Sequence, residues 1–308
     1  MIKLTMKILI LGHKGMLGHE LAEAFTEGNE LVLWDRDQID ISNREDVTKK
    51  VGELKPDVVI NAAAYTAVDK AELEKDLVYK VNGCAAGFLS TICKEINALF
   101  IHFSTDYVFD GENHIGYKED HPYNPINLYG RSKALGEKMI LDIEPRYYLI
   151  RTSWLFGKHG KNFVETMLRI ANEGKDLKVV NDQFGSPTYA KDLAEKVKEL
   201  IESEKPYGIY HITNSESCNW YEFALKIFEF SGLNPNVQPV TSEEFPTPAK
   251  RPTYSMLVNT KLSPMRPWKE ALQAYLVETK RIQQSSNIYD KFSIKSNSSY
   301  ESQYSSTL

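Results

Sequence analysis

The sequence has little of what marks secreted, membrane-bound or nucleic-acid-binding proteins. Its 308 residues include three widely spaced cysteines, Cys84, Cys93 and Cys218, and no CxxC pair. An odd, scattered set of thiols fits a reducing compartment better than a disulfide framework. No apolar run approaches the roughly 18 residues of a membrane span, and a net charge of −5 does not favour nucleic acid or anionic membranes. These absences predict a soluble, cytoplasmic protein without nucleic-acid or membrane partners.

The first residues show no secretion signal, and the last residues are rich in serine. The first residues, MIKLTMKILIL, are too short for a signal peptide and contain no small-residue cleavage site. Met1 and Met6 are both candidate starts, and the second choice would make residues 1–5 an extension. Residues 283–308 contain nine serines and no sustained periodicity, so we expect a disordered tail there. A docking segment or a group of phosphorylation sites is the alternative for that tail.

Short apolar runs alternate with helical patterns in the first half of the chain. Strands are predicted at 7–11, 30–35, 56–64, 99–104 and 147–154. Helical signals between them include Ser42 as an N-cap with Glu45 three residues later, and a long pattern over about 68–95. Strands that alternate with helices indicate βαβ units, and near-continuous apolar strands are typical of a sheet covered on both faces. The sequence therefore predicts an α/β fold with a doubly wound, Rossmann-type parallel sheet.

The alternation becomes less regular after Trp154. Helices near 162–173, 189–203, 220–232 and 268–280 are expected, with strands near 177–180 and 208–213. We therefore predict a dinucleotide-binding domain at 1–154 and a smaller substrate-binding lobe, mainly 155–282, with possible crossings back to the sheet. Residues 283–308 form the predicted tail.

The turn after the first predicted strand is rich in glycine. The stretch GHKGMLG places Gly12, Gly15 and Gly18 between that strand and a helix. Small residues there allow a tight turn and let the backbone approach a pyrophosphate at the helix N-terminus. In this context the pattern favours dinucleotide binding over a turn that serves helix packing alone.

Asp35 ends the second predicted strand, 23 residues after Gly12, where a ribose-binding carboxylate is expected. That carboxylate favours NADH. Nearby cations in the sequence would attract a 2′-phosphate and favour NADPH: His13, Lys14 and Arg36. The choice between NADPH and NADH therefore stays open. Asp40 and Ile41 follow in a segment that could reach the adenine, although Asp40 also suits a turn.

Two further stretches follow predicted strands. After the third strand, NAAAYTAVDKAE contains three alanines, which leave room for a flat group such as a ribose or nicotinamide, or serve close helix packing. After the fourth strand, STDYVFDG supplies Thr105, and LYGRSK then places Tyr129 and Lys133 four residues apart on one helical face. A lysine near a tyrosine should lower the phenol's pKa and ease proton donation to a carbonyl oxygen, with Thr105 bound to the same oxygen.

Together these stretches resemble the extended short-chain dehydrogenase/reductase superfamily, and more narrowly the dTDP-4-dehydrorhamnose reductase family. The resemblance runs in order from Lys7 to about Leu276 and is carried by GHKGMLG, NAAAYTAVDKAE, STDYVFDG, LYGRSK, RTSWLFG, NDQFGSPT and TPAKRP. It implies hydride transfer from a nicotinamide cofactor to the C4 ketone of dTDP-4-dehydro-L-rhamnose, in nucleotide-sugar and cell-surface polysaccharide biosynthesis.

The resemblance also implies roles for individual residues. Tyr129 matches the proton donor, Lys133 its partner and ribose ligand, and Thr105 the hydroxyl that assists them. The positions that match the cofactor site are Gly15, Met16, Leu17, Asp35, Asp40, Ile41, Ala63, Ala64 and Tyr65. Asp106 and Trp154 match positions that contact the nucleotide-sugar.

The chain departs from the family at a metal-bridged dimer contact. Glu20 fits one acidic position of that contact, but Lys191 stands where another acid is found. A cation opposes a metal site, so we expect no metal and a monomer or weak homodimer. The alternatives are a non-catalytic regulator resembling the regulatory subunit of methionine adenosyltransferase, a reductase of a related nucleotide ketosugar, and an epimerase or dehydratase. Asp106-Tyr107, where dehydratases carry Asp-Glu, argues against the last.

Overall fold

The computed structural model describes residues 5–282, so the predicted tail at 283–308 lies outside the described residues. The strands are β1 (Lys7–Leu11), β2 (Glu30–Trp34), β3 (Val58–Asn61), β4 (Leu99–Thr105), β5 (Arg146–Thr152), β6 (Leu155–Phe156), β7 (Leu177–Val180), β8 (Phe184–Gly185), β9 (Thr188–Tyr189), β10 (Gly208–His211), β11 (Cys218–Asn219) and β12 (Val237–Val240). The α-helices are α1 (Met16–Phe25), α2 (Arg44–Leu54), α3 (Val68–Ala71), α4 (Lys75–Val78), α5 (Ala85–Glu95), α6 (Leu128–Ile143), α7 (Phe163–Asn172), α8 (Ala190–Glu202), α9 (Trp220–Ser231) and α10 (Trp268–Glu278).

Six of these strands form one sheet in the order β10-β5-β4-β3-β1-β2, and each neighbouring pair is parallel. The chain passes from β2 on one side of β1 to β3 on the other. The loops that follow β1 and β3 therefore diverge, and such a switch point at the carboxyl ends of the strands is where open α/β sheets bind ligands. The predicted doubly wound α/β fold is confirmed.

The apolar strands are explained by two cores, one on each face of the sheet. Ile8 and Ile10 point into a core that α1 and α8 complete, whereas Leu9 and Leu11 point into a core with α2 and α5. Successive strand residues face opposite sides. A strand covered on both faces must therefore be apolar at every position, and this produced the uninterrupted runs in the sequence.

A separate apolar core joins α7, α9 and α10 away from the main sheet, with Phe156, Phe223 and Trp268 fully or almost fully buried in it. Strand β10, which comes between α8 and α9 in the chain, pairs with β5 and so returns to the main sheet. The predicted division at residue 154 stays a prediction. Among residues 5–282, every helix is too short or too polar to cross a lipid bilayer.

The predicted cap of α2 is wrong by one residue. The side chain of Asn43, not Ser42, accepts hydrogen bonds from the backbone N–H groups of Glu45 and Asp46, at 3.0 and 3.2 Å. Ser42 instead donates its hydroxyl to Asp40 at 2.7 Å. Asp40 thus serves the turn before the helix, and the turn takes the hydroxyl that the capping-box pattern had assigned to the helix.

The long helical pattern predicted over about 68–95 is helical for most of its length but does not form one regular α-helix. The chain forms α3, α4, a π-helical segment (Tyr79–Cys84) and α5 in succession. Within the π-helical segment, Asn82 accepts from the backbone N–H of Tyr65 at 2.9 Å and donates to the Ser132 hydroxyl at 3.1 Å. These tertiary contacts are made at the point where the regular helix is interrupted, and periodicity alone does not register them.

A buried ion pair joins α6 to strand β5 of the main sheet. Glu137 is 0% exposed and Arg151 of β5 is 1% exposed. The Arg151 Nε lies 3.1 Å from both Glu137 carboxylate oxygens, and Nη2 lies 2.7 Å from Oε2. The Ser104 hydroxyl donates to the same carboxylate. Two opposite charges out of water are tolerated here because each is paired and hydrogen-bonded.

Replacing Glu137 with alanine would leave the Arg151 guanidinium buried without its carboxylate. We expect the free energy of unfolding to fall by about 3–5 kcal/mol, measured by urea unfolding at pH 7. As a matched control, Glu229→Ala removes an exposed partner of Lys226 and should cost less than about 1 kcal/mol. Equal losses in the two variants would contradict the assigned importance of the buried pair.

Candidate active site

A cavity of about 980 Å³ opens at the carboxyl ends of β1, β2 and β3. Many of the residues predicted to bind a cofactor line it: Gly12, Gly15, Asp35, Asp40, Ile41, Ala63, Ala64 and Tyr65. Their sequence positions are far apart, but all follow neighbouring strands of the sheet. The structure therefore brings the predicted cofactor residues together at one edge, as the switch-point topology requires.

The glycine turn is built for close approach. Gly12 has φ +77°, and a Cβ there would lie 2.7 Å from the backbone nitrogen of Ala63. A Cβ on Gly18 would collide with the Gly12 carbonyl oxygen. Gly12 and Gly18 thus let the turn, α1 and the alanine-rich loop pack backbone to backbone, which a side chain at either position would prevent.

Helix α1 begins directly at this cavity. Gly15 is its N-cap and contributes no side-chain hydrogen bond, and the first turn contains no acidic residue. The first N–H groups of the helix are therefore available to an anion such as a pyrophosphate. Met16 packs its side chain towards Gly157, and Leu17 is buried in the core beneath. These two residues offer their backbones, not their side chains, so the turn fits a dinucleotide.

The far end of the cavity carries Asp35. Its carboxylate accepts hydrogen bonds from the backbone N–H of Lys14 at 3.2 Å and of Arg36 at 2.8 Å. The Lys14 ammonium pairs with Asp37 on the surface. A carboxylate suited to ribose hydroxyls and a cation suited to a phosphate thus lie side by side, and the structure leaves both NADH and NADPH compatible with this end.

Thr105 and Tyr129, which are 24 positions apart in the sequence, meet at the carboxyl end of β4. The Thr105 hydroxyl lies near enough to the Tyr129 phenol to lower its pKa. Thr105 also donates to Asp106 Oδ1 at 2.9 Å and accepts from the backbone N–H of Tyr107 at 3.2 Å. The ring of Tyr107 packs edge-on to that of Tyr129, with 5.9 Å between centroids. A polar pair able to bind one carbonyl oxygen is therefore held by Asp106 and Tyr107.

The expected effect of Lys133 on Tyr129 is wrong for this structure. Burial raises the pKa of Tyr129 to about 12, the nearby Asp106 carboxyl adds to the rise, and the hydrogen bond with Thr105 opposes it. Lys133 is itself 2% exposed. Its ammonium nitrogen donates to the Phe103 carbonyl oxygen at 2.5 Å, so its nearest partners lie on β4 and not at the phenol.

Lys133 and Asp106 are also shifted in pKa. Burial lowers the pKa of Lys133 to about 8, against an opposing effect of Glu137. Burial raises the pKa of Asp106 to about 6, although the nearby Ser255 and Thr105 hydroxyls stabilise its charge. The Asp106 Oδ2 atom has no hydrogen-bond partner among the described residues. Both shifts favour the neutral forms, as burial does for any ionisable group.

Trp154, which lies between β5 and β6, packs its ring against a second tryptophan. Its ring stacks on that of Trp220, 3.5 Å between centroids and 7° from parallel. A Cβ on Gly185 would lie 2.5 Å from Trp154 Cε2, so this glycine makes room for the indole. Trp154 is half-buried. Its contact with a nucleotide-sugar stays a prediction, and Trp220 is the aromatic neighbour that sequence reasoning missed.

Several other site residues were missed, although some of their motifs were recognised. Arg251, from TPAKRP, forms a two-pronged ion pair with Asp69, from NAAAYTAVDKAE, at 2.8 and 2.9 Å. Asn61 and His102 lie buried behind Lys133. A histidine and an asparagine inside otherwise apolar strands were the available signal, because buried polar side chains need partners.

Glu20 and Lys191 are the residues at the positions that match the metal-bridged dimer contact of some family members. Glu20 is 2% exposed, and burial raises its pKa. Lys191 lies 3.0 Å from Glu278, which Lys158 also contacts at 2.5 Å. Although burial opposes them, hydrogen bonds from Lys158, Tyr189 and Lys191 hold the pKa of Glu278 near 2. Two ammonium groups thus pair with Glu278 here, and the absence of a metal stays a prediction.

Asp106 should weaken the fold as pH rises. Its pKa in the folded state, about 6, lies above the ordinary 3.8, so the folded chain binds more protons between these values and loses stability as the carboxyl ionises. At pH 7.5 the loss is on the order of 3 kcal/mol. Asp106→Asn should therefore be more stable than the wild type at pH 7.5, and the two should converge near pH 4, by urea unfolding.

Asp110→Asn is the matched control for that measurement. Although burial opposes it, hydrogen bonds from Tyr117, Glu112 and Asn124 lower the pKa of Asp110, so its charged form stabilises the fold. This variant should be less stable than the wild type at pH 7.5, with the difference shrinking as pH falls below about 4. A pH-independent effect of Asp106→Asn would contradict the buried, ionised carboxyl.

Known proteins resemble this chain over almost its whole described length. Residues 6–281 match the family described as the RmlD substrate binding domain. The spore coat polysaccharide biosynthesis protein SpsK of Bacillus subtilis is 43% identical over 277 residues, covering 88% of this chain and 97% of SpsK. The dTDP-4-dehydrorhamnose reductase of Aggregatibacter actinomycetemcomitans is 40% identical over 269 residues, covering 83% and 92%.

A solved structure agrees with the same assignment. The crystal structure of dTDP-4-dehydrorhamnose reductase from Bacillus anthracis in complex with NADP superposes with a TM-score of 0.86 at 40% identity, over 89% of this chain and 99% of that one. The likeness therefore extends from the motifs to the whole fold. The chain belongs to the dTDP-4-dehydrorhamnose reductase family.

Proposed function

We propose that this protein transfers hydride from NADPH or NADH to the C4 ketone of dTDP-4-dehydro-L-rhamnose and so forms dTDP-L-rhamnose. The observation that carries the proposal is the meeting of Thr105 and Tyr129 at the carboxyl end of β4, on the edge of the sheet where the cavity with the glycine turn opens. Family membership supports the substrate, because close relatives are named for this reaction. A glycine turn alone would serve a binding protein equally well, whereas the paired hydroxyls serve a reaction.

The chain's own residues would handle the proton and the oxygen. The nicotinamide cofactor supplies the hydride. Tyr129, with a pKa of about 12, stays protonated at neutral pH and can donate its proton to the oxygen that gains charge. Thr105 binds the same oxygen and stabilises the charge when its hydroxyl, which donates to Asp106 in the free protein, turns towards it. An acid that remains protonated until an alkoxide forms beside it suits the direction of ketone reduction.

The remaining roles are proposals of the same kind. We assign the pyrophosphate to the N-terminus of α1, the ribose hydroxyls to Asp35 at one end and Lys133 at the other, and the nucleotide-sugar to Asp106 and Trp154. The ion pair of Arg251 with Asp69 supports the placement of the sugar side, since it fixes the loop at 245–252 next to the site. A regulator without catalysis would not need these polar side chains buried at its centre.

Activity can be measured as oxidation of NADPH and, separately, NADH with dTDP-4-dehydro-L-rhamnose generated enzymatically in the assay. Tyr129→Phe should lower kcat by about 10²–10⁴-fold, the usual contribution of a positioned general acid, while cofactor affinity changes little. Tyr207→Phe is the control, because Tyr207 contacts Arg146 at the amino end of β5, the opposite edge of the sheet. It should keep wild-type activity.

Two results would contradict these assignments. Failure of the wild type to oxidise either cofactor with this substrate would reject the proposed reaction. If a related nucleotide ketosugar were reduced instead, the reaction type would stand and the substrate would change. Unchanged turnover in Tyr129→Phe would remove Tyr129 from its role.

We propose further that the protein acts in the cytoplasm as a monomer or weak homodimer without a metal. The contacts of Lys158 and Lys191 with Glu278 support this, because they place cations where a metal-bridged pair would need acids. Light scattering should give the same molar mass in about 5 mM magnesium as in excess EDTA. A dimer that EDTA dissociates would contradict the proposal.

A further inference from the structure

The mechanism leaves one buried polar chain unused, and it ends at Lys133. His102, in the middle of β4, is 2% exposed and lies between two polar side chains. Its Nδ1 lies 3.1 Å from Asn61 Nδ2, and its Nε2 lies 3.4 Å from the Lys133 nitrogen. Asn61, in turn, accepts at Oδ1 from the backbone N–H of Ala63, at 3.2 Å. Ala63 lines the cofactor cavity.

The directions of these hydrogen bonds follow from the backbone. The Ala63 N–H can only donate, so the Asn61 oxygen must face it and the Asn61 amide NH₂ must face His102. The Nδ1 atom of His102 is then an acceptor, and in a neutral ring the hydrogen is on Nε2. That hydrogen points at the Lys133 nitrogen. A neutral amine can accept it, whereas an ammonium, which only donates, cannot.

The charged groups around Lys133 agree with a neutral fraction. Burial and the neighbouring Lys133 charge lower the pKa of His102 well below its usual value, so the ring stays neutral. Glu137, one turn along α6, favours the ammonium, but its carboxylate is bound by Arg151 of β5 and Ser104 of β4. Arg151 in turn faces His211 of β10 at 3.3 Å. Among the described residues, the Lys133 nitrogen contacts the His102 ring and the Phe103 carbonyl oxygen. No carboxylate there forms an ion pair with it.

We propose that His102, held in one tautomer by Asn61 and the Ala63 N–H, is a positioning residue that keeps part of the Lys133 population as the neutral amine, and that Lys133 takes up a proton when the cavity binds a nicotinamide dinucleotide. The inference rests on the proposed function. The proton comes from the buffer: an R–NH₂ group becomes R–NH₃⁺, and no other bond changes. Ribose hydroxyl oxygens would supply the acceptors that His102 withholds from the ammonium.

Proton uptake can be measured on the full-length wild type without turnover. Isothermal titration calorimetry of NADH binding at pH 8, in phosphate and in Tris, gives the number of protons from the difference in heats. With a Lys133 pKa of about 8, we expect about half a proton per NADH bound, and affinity for NADH should fall towards tenfold per pH unit between pH 8.5 and 9.5. This window lies above the ordinary titration of histidine.

The substitution Asn61→Asp should reverse the direction of the hydrogen bonds that run from Asn61 through His102 to Lys133. A carboxylate still accepts from the Ala63 N–H, but it also accepts the hydrogen from His102 Nδ1, so Nε2 becomes an acceptor for the Lys133 ammonium. Proton uptake at pH 8 should fall below about a tenth of a proton, and the pH dependence of NADH affinity should flatten. Asn43→Asp is the control, because Asn43 caps α2 near the cavity and an aspartate serves as well there. It should keep the wild-type uptake.

The outcomes separate this inference from the proposed function. Wild type that binds NADH without proton uptake overturns the inference and leaves the reductase assignment in place. Uptake that persists unchanged in Asn61→Asp also overturns it. If wild type binds neither NADH nor NADPH, both fall together. The wild-type titration decides the central claim even if Asn61→Asp does not fold.

Discussion

The register of helix α6 against strand β4 is the constraint on which the site depends. Tyr129, Lys133 and Glu137 are four residues apart, so they reach the sheet in three successive turns of one helical face. Their partners are Thr105, the Phe103 carbonyl, and Ser104 with Arg151. A slip of one residue would rotate this face by about 100° and separate all three contacts at once. The buried ion pair that holds the helix therefore also places the phenol.

Burial of that helical face moves the pKa values of Tyr129 and Lys133 apart. In water a tyrosine and a lysine have similar pKa values, near 10. Within the site burial raises the pKa of Tyr129 to about 12 and lowers that of Lys133 to about 8, so each shift is towards the neutral form of its group. A lysine four residues from a tyrosine is therefore not enough to acidify it. The charge must first be stabilised by partners that the protein alone does not provide.

The fold could be predicted from the sequence more fully than the electrostatics of the site. Strands covered on both faces are apolar at every position, and the glycine turn and the Tyr129–Lys133 spacing are local patterns, so these could be read directly. The cap of α2 and the interrupted helix at 68–95 depended on contacts with distant residues, as did the pKa of Tyr129. His102 and Asn61 were visible in the strands, but their pairing required the register of β3 and β4, in which Asn61 lies opposite His102.

One asparagine, Asn127, connects helix α6 to the loop at 245–252. Asn127 caps α6 by accepting from the Gly130 N–H at 2.7 Å, and its amide donates to the Lys250 carbonyl at 2.9 Å. The helix that carries Tyr129 therefore starts at the same side chain that binds the loop at 245–252. Because Tyr129 follows the cap by two residues, the contact that orders this loop also sets the position of the phenol. Loop and acid are thus parts of one arrangement, although more than a hundred residues separate them in the sequence.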